Sequence, residues 1–525
     1  MTEEVAVHEP HRGSHPRPVV WALGLASLIG LCVASVLLRT QAFDTSYWID
    51  EGIATGIARY PLSEIPSVLL LDGSPPLYYL LLHIWEDWFG TGEAATRSLS
   101  LLAATLTIPV AFLFAWRIAG ARAAWVSALL AAGHPFLTYY AQETRMYALV
   151  SLLALIMAGS LVLVFTQRQR RFIPLAIIGA AGIMYSHNWG LFAVAASFVA
   201  ALIVVFTVGE REERRASVID GVIIYGAIGV LYLPWVPSLL KQASSTGAPW
   251  SMVPGFGDLF SAVVVPFGYE WIGVVLAAIT AAAALVIARR KRPGDAPTVR
   301  AALLLALIIV GTGVLAWVIS HVSPAWSLRY LAVSVGPAIL LSGLVLARIP
   351  TVGAAVLCLL ALLWAQPLEE RVRQKSNVAQ VAALAAQIDA NGPGDVVISP
   401  HPEQLPVISH YMGPEPRYAT SLGWQQDTRV FDWRHAMDRL KAADPDVVWS
   451  QMRPEVESGQ DVVLAVPILR SAQWRAPWTW LVRRRALQWQ QTLDADPGLI
   501  RLGELPRYGD RPLPRGLRLI VYRKR

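Results

Sequence analysis

Residues 44–79 read DTSYWIDEGIATGIARYPLSEIPSVLLLDGSPPLYY. The stretch follows one long apolar run, Val19 to Leu38, and precedes a second near Leu99. Two acids stand side by side in it, Asp50 and Glu51, flanked by Trp48 and Gly52. A third, Asp72, comes just before Ser74-Pro75-Pro76-Leu77-Tyr78-Tyr79. A polar, aromatic-rich loop between apolar runs of membrane length points to helices that cross a bilayer, with chemistry held at one surface.

The composition agrees. Of 525 residues, 55% are hydrophobic and 15% charged, and the mean hydropathy is +0.46, as in a polytopic membrane protein. Eleven spans are expected, at 19–38, 95–116, 123–138, 145–165, 172–186, 188–208, 217–235, 271–289, 301–320, 329–347 and 350–366. No small-residue cleavage signal follows the first run, which is therefore read as a retained helix. The net charge of +7 does not indicate nucleic acid, because the basic residues between helices sit in short clusters at membrane edges. Cys32 and Cys358 both lie in apolar runs, so neither a disulfide framework nor a thiolate metal site is expected.

The placement of Lys and Arg orients the chain. With the N-terminal tail (1–18) cytoplasmic, the inner loops hold Arg117, Arg122, Arg168, Arg170, Arg171, Arg211, Arg214, Arg215, Arg289, Arg290, Lys291, Arg292, Arg300 and Arg348. The short outer segments hold only Arg39, Arg59, Arg97, Arg145, Lys241 and Arg329. This positive-inside bias puts the first loop (39–94) outside, and with eleven spans the tail (371–525) as well. From about Lys375 the tail alternates helix-like stretches (377–390, 434–442) with β-rich runs at 395–399, 446–450, 461–465 and 517–522. The expected fold is an α-helical polytopic membrane protein of about 11 transmembrane helices with a C-terminal extracytoplasmic α/β domain, its sheet mostly parallel.

Asp50 and Glu51 admit two readings. Acids favour the first turn of a helix, where they cap it and meet the positive end of its dipole. An acidic pair between aromatics at a membrane surface also suits a general base and an orienting partner acting on a sugar hydroxyl. Neighbouring residues on a helix or strand point in different directions, so only one of the two can act. The same outer face collects Glu143, Arg145 and Tyr147, then His187, Lys241, His321 and the pair Arg329–Tyr330. Ionisable groups at the ends of apolar helices are costly unless paired or functional. Arg145 and Arg329, with Lys241 and Tyr330, are the candidates for an anionic lipid phosphate, which Arg meets with bidentate geometry. Trp48, Asp72, Tyr78, Glu143 and His187 are the candidate pocket residues. Simpler roles compete: an Arg145–Glu143 pair, a loop histidine at 187, a solvated Lys241 and an Arg329 that snorkels.

One further pattern is specific. Asp-Glu after a tryptophan, then Pro-Pro-Leu-Tyr-Tyr, then Glu93-x-x-x-Arg97-x-x-Ser100, then YAQETRMYAL and a late Arg-Tyr, stand in this order. In this the chain resembles the GT-C glycosyltransferases of the protein O-mannosyltransferase and aminoarabinose (ArnT-like) transferase superfamily, over about residues 40–190 and beyond that by pattern only. The resemblance implies a GT-C catalytic domain (19–370) that takes a sugar, mannose or another hexose or pentose, from a polyprenyl-phosphate carrier on the outer face. The acceptor would be a protein, a lipid or a cell-envelope glycan. It also implies Asp50 as the first-loop acid that acts, with Glu51 beside it, and Arg145 as the family's arginine. The C-terminal tail departs from the family's eukaryotic O-mannosyltransferases, and acceptor choice is expected to lie there. A polyprenyl phosphate already leaves well, so one carboxylate and a set of cations suffice, with inversion at the sugar carbon. No cofactor is required by this chemistry; a divalent cation is left open. A transporter or lipid flippase would need ionisable residues near the midplane or related halves of the chain. A non-catalytic scaffold with a binding domain would give no reason for acids, Arg and His to gather on one face.

Overall fold

The computed structural model describes residues 18–41, 43–208, 211–290, 292, 294–351, 353–355, 375–468, 476–506 and 516–525. The tail before Pro18, most of the expected span at 350–366 with Cys358, and the domain boundary at 370 lie outside them. In chain order the N-terminal helices are α1 (Pro18–Leu38), α2 (Ile49–Ala58), α3 (Ile65–Asp72), α4 (Leu77–Phe89), α5 (Glu93–Ala119), α6 (Ala121–Ala132), α7 (Pro135–Tyr140) and α8 (Tyr147–Gln167). There follow α9 (Ile173–Ser186), α10 (Gly190–Ile203), α11 (Arg214–Tyr232), α12 (Val236–Ser245), α13 (Phe256–Val264), α14 (Glu270–Arg290), α15 (Ala296–Val322) and α16 (Ala332–Leu346).

Among the described residues, eight helical segments are long and apolar enough to cross a membrane. They fall on eight of the ten expected spans that can be compared. The other two are short. The third is α6, 12 residues, broken from α7 at Gly133-His134-Pro135, and the fifth is α9, 14 residues. At 1.5 Å per residue each reaches only about 20 Å, less than a ~30 Å core. Helix α9 turns back into α10 within three residues, and a Cβ on Gly190 would lie 2.8 Å from the Ile183 backbone, so only glycine lets the two helices close so tightly.

The first loop is itself helical. Glu51 is the third residue of α2, and its Oε2 accepts the Trp48 backbone N–H at 3.4 Å, so the capping reading holds for this acid. Every residue from Glu51 to Ala58 is buried. One side of α2 meets the bundle and the other the C-terminal domain. A Cβ on Gly52 would stand 2.6 Å from Val407 Cβ, and one on Gly56 2.0 Å from the Arg429 carbonyl oxygen. Gly52 is thus a helical position of close approach.

The C-terminal domain holds α17 (Val378–Ala386), β1 (Val396–Ser399), α18 (Leu405–Met412), β2 (Arg417–Thr420), β3 (Gly423–Gln425), α19 (Ala436–Ala442) and α20 (Pro445–Met452). It ends with β4 (Asp461–Ile468), α21 (Pro477–Ala495), β5 (Leu499–Leu505) and β6 (Gly516–Lys524). The sheet order is β3-β2-β1-β4-β6-β5, with β1 parallel to β2 and β4 and the other pairs antiparallel. One face packs on α17 and α18, the other on α20 and α21. The sheet is mixed, not mostly parallel, and the run 446–450, expected as a strand, is α20. Asp444 caps it by accepting the Asp446 N–H, with Pro445 in the first turn, and this outweighs the β-propensity of two valines. Tyr47 of the first loop is fully buried in the domain's own core. The Tyr411 hydroxyl contacts Tyr47 N at 2.7 Å and Glu93 Oε1 at 2.6 Å, which fixes the domain on the end of the bundle that carries α2.

Candidate active site

Helix α2 enters that end with Asp50 and Glu51 about 100° apart around its axis. They take different partners. Glu51 turns inward, where Arg97 Nε and Nη2 donate to its two oxygens at 2.8 Å each, and Thr144 N–H adds a bond of 2.9 Å. Arg97 spends its remaining Nη1 on the carbonyls of Phe43 and Thr45, both at 2.8 Å. Both side chains are 1–2% exposed, so two charges are held out of water only because their donors and acceptors are matched. Asp50 turns toward Arg329, with Oδ2 at 2.7 Å from Nη1, both side chains still partly open.

The Glu93-x-x-x-Arg97-x-x-Ser100 spacing now has a physical meaning. Residues four and three apart share one face of α5. That face carries three anchors: Glu93 to Tyr411, Arg97 to Glu51, and Ser100 to the Arg145 carbonyl at 3.0 Å and the Tyr78 hydroxyl at 3.1 Å. Tyr78, expected in the pocket, therefore faces α5. Its neighbour Tyr79 takes the place instead, donating to Asp72 Oδ2 and accepting from Arg145 Nη1, both at 3.4 Å.

Arg145 does not pair with Glu143. Its guanidinium also reaches the Asp50 backbone carbonyl at 3.3 Å and lies 5.9 Å from the centre of the Tyr147 ring. Burial opposes its charge, but Tyr79, Tyr147, Asp50 and Asp72 more than offset this and hold it protonated. Burial pushes the Asp72 carboxyl up, against hydrogen bonds from Ser74 and Tyr79 and the charge of Arg145. His187 Nδ1 accepts the Trp189 N–H at 3.1 Å, and the ring lies 4.5 Å from that of Tyr330. Burial, with Arg145 and Arg329 nearby, pushes its imidazole down to about 3, so it stays neutral. Tyr330 packs among His187, Trp189 and Trp250. The Arg329 guanidinium stands 5.6 Å from the Trp48 ring and 5.3 Å from that of Trp250.

Two sequence candidates lie apart from this group. Lys241 is exposed on α12, and it is Gln242 that reaches in, donating to the carbonyls of Leu69 and Ser74. His321 is exposed at the end of α15. One residue not among the sequence's site candidates is present: the Lys375 ammonium pairs with Glu143 Oε1 and stands 4.1 Å from the Trp48 ring. Among the described residues, Arg145 Nε, Arg329 Nε and the Tyr147 hydroxyl are buried with no hydrogen-bond partner in the chain. No group of three or more His, Cys, Asp or Glu among the described residues is placed to hold a metal. A separate open cleft of about 710 Å³ on the C-terminal domain is lined by Trp449, Arg453 and Asp496, where the first two side chains donate hydrogen bonds to the Asp496 carboxylate.

A helical domain with eight segments of membrane length, a helical first loop and a C-terminal sheet domain seated on it make up a fold that solved structures share. Solved structures similar to the chain include the following two. The first, ArnT from Cupriavidus metallidurans bound to undecaprenyl phosphate, has a TM-score of 0.52 at 12% identity, covering 96% of this chain and 98% of that one. The second, the oligosaccharyltransferase AglB from Archaeoglobus fulgidus in complex with an inhibitory peptide and a dolichol-phosphate, has a TM-score of 0.50 at 13% identity, covering 86% and 70%. No family model matches the sequence, and no curated protein matches it significantly.

Proposed function

We propose that the protein transfers a sugar from a polyprenyl-phosphate carrier to an acceptor outside the cytoplasm, with Asp50 as general base and Arg145 and Arg329 on the carrier phosphate. The observation that carries the reading is the pair of buried, unpartnered guanidinium Nε groups beside Asp50. Buried donors without partners are costly, and an oxyanion between the two arginines satisfies both. The undecaprenyl phosphate and the dolichol-phosphate bound in the ArnT and AglB structures are of the same chemical class.

In this reading the acceptor hydroxyl attacks the sugar carbon from the face opposite the phosphate, and its proton passes to the Asp50 carboxylate. The bond from that carbon to the phosphate oxygen breaks, and the arginines hold the departing polyprenyl phosphate. A single displacement inverts the anomeric carbon. A phosphate that draws Arg329 to itself also loosens the Arg329–Asp50 pair, so that donor binding and the basicity of Asp50 rise together. Tyr79 and Asp72 position Arg145; neutral His187 and Tyr330 line the sugar side; Glu51 acts through the fold, not on substrate. The acceptor is a protein, a lipid or an envelope glycan, with the C-terminal domain as the part that selects it.

Two experiments bear on this directly. Arg145→Ala and Arg329→Ala each weaken binding of a polyprenyl monophosphate about 10- to 100-fold, the loss of one charged hydrogen-bond partner. Unchanged affinity in both folded variants would return these arginines to a structural role. For sidedness, Ser63→Cys and Glu457→Cys, both at exposed positions, react with a membrane-impermeant maleimide in intact cells. Protection of either one contradicts an extracytoplasmic site.

A further inference from the structure

We propose that Lys375 is the third cation of the donor-phosphate site, so that the site is complete only when the C-terminal domain is seated. The inference rests on the reading of the site given above. Lys375 belongs to the segment that begins the C-terminal domain, and that segment is fixed to the sheet. Two residues on, Asn377 Nδ2 donates to the Leu517 carbonyl at 2.9 Å and Asn377 Oδ1 accepts the Leu517 N–H at 2.7 Å, tying it to β6. Ser376 and Asn377 are buried, and α17 starts at Val378. The anchored backbone sends the lysine away from the sheet and into the membrane domain's polar cluster.

There its ammonium pairs with Glu143 Oε1 and lies 4.1 Å from the centre of the Trp48 ring and 4.7 Å from that of Tyr139. The Trp48 ring also faces Arg329, at 5.6 Å, and Arg329 holds Asp50. Trp48 is the N-cap residue of α2, immediately before Ile49. One indole thus links the C-terminal domain's cation, the late-span arginine and the helix that presents the proposed base. Among the described residues, Arg145, Arg329 and Lys375 are the cations gathered here, with Asp50, Asp72 and Glu143 as the acids around them. Each acid so placed can yield a cation to a phosphate oxygen. Lysine suits that exchange, as a compact charge on a flexible stem that can pass from carboxylate to phosphate without a fixed fork geometry. Glu143 is the resting partner of Lys375, and its second oxygen, Oε2, is buried without a partner.

The test uses the full chain in lipid nanodiscs, with undecaprenyl phosphate as the probe, and compares wild type, Lys375→Gln, Glu143→Gln, the double variant and Lys375→Arg. Lys375→Gln is expected to weaken binding about 10- to 100-fold and the double variant to remain as weak, because the lost contact is to the ligand. Lys375→Arg, which keeps the charge, retains more affinity than Lys375→Gln, and the melting profile of Lys375→Gln separates a binding loss from a folding loss. If Lys375 serves only to neutralise Glu143, the double variant recovers wild-type affinity, which overturns the proposal. Wild-type affinity in Lys375→Gln overturns it as well. Failure of the wild-type chain to bind the probe at all instead removes the lipid-phosphate reading on which the proposal stands.

Discussion

Asp50→Asn lowers turnover by roughly 100- to 10,000-fold, the range of a lost general base, while leaving donor binding intact or tighter. Asparagine keeps the size and hydrogen-bonding reach of the side chain but cannot take the acceptor proton. The sign of the binding effect follows from the 2.7 Å pair between Asp50 and Arg329. With the carboxylate neutralised, Arg329 no longer divides its charge between Asp50 and an incoming phosphate, so affinity for a polyprenyl monophosphate holds or rises. A defect that appears as weaker donor binding at normal turnover would place Asp50 in binding, not catalysis. Near-normal turnover in folded protein would remove it from the mechanism.

Arg97→Ala destabilises the protein by about 3–5 kcal/mol, the usual cost of removing one member of a buried ion pair. It strands the Glu51 carboxylate among apolar helices and frees the Phe43 and Thr45 carbonyls that hold the entry to α2. Replacing both partners, as in Glu51→Gln with Arg97→Met, recovers part of this, because no uncompensated charge remains and the amide oxygen still accepts the Thr144 N–H; the Phe43 and Thr45 carbonyls lose their donor, so recovery is incomplete. Thermal melting in detergent reads both variants. A melting point for Arg97→Ala within about 2 °C of wild type would contradict the structural role given to the pair. Activity lost together with folding in Glu51→Gln, set against activity lost without unfolding in Asp50→Asn, separates the two adjacent acids.

Much of this arrangement was legible in the chain. The apolar runs located the spans because a bilayer core demands about 20 residues of helix, and the exceptions, α6 and α9, are the helices that stop short beside polar turns. The divergence of Asp50 and Glu51 followed from helix geometry alone. What each acid would meet did not. Arg97 lies 46 residues from Glu51 and Arg329 lies far along the chain from Asp50, and only the packing of α5 and of the last spans onto α2 brings them together. Lys375 marked only the start of the tail, because nothing in its neighbourhood points to a site; its place beside Glu143 depends on the Asn377–Leu517 clasp, 140 residues apart. Tyr79 was passed over for Tyr78 because a one-residue choice on a helix needs the facing surface, here Ser100 on one side and Asp72 on the other. In the C-terminal domain, short valine-rich runs read alike whether strand or helix, and the Asp444-Pro445 start decided one of them.

The most direct test of the account is release of free polyprenyl monophosphate by the purified chain in nanodiscs, offered a panel of radiolabelled polyprenyl-phosphate sugars with cell-envelope extract as acceptor. The account predicts release from at least one donor by wild type and almost none by Asp50→Asn, although the variant still binds undecaprenyl phosphate. Folded wild-type protein that neither binds the lipid phosphate nor releases it from any donor would contradict it.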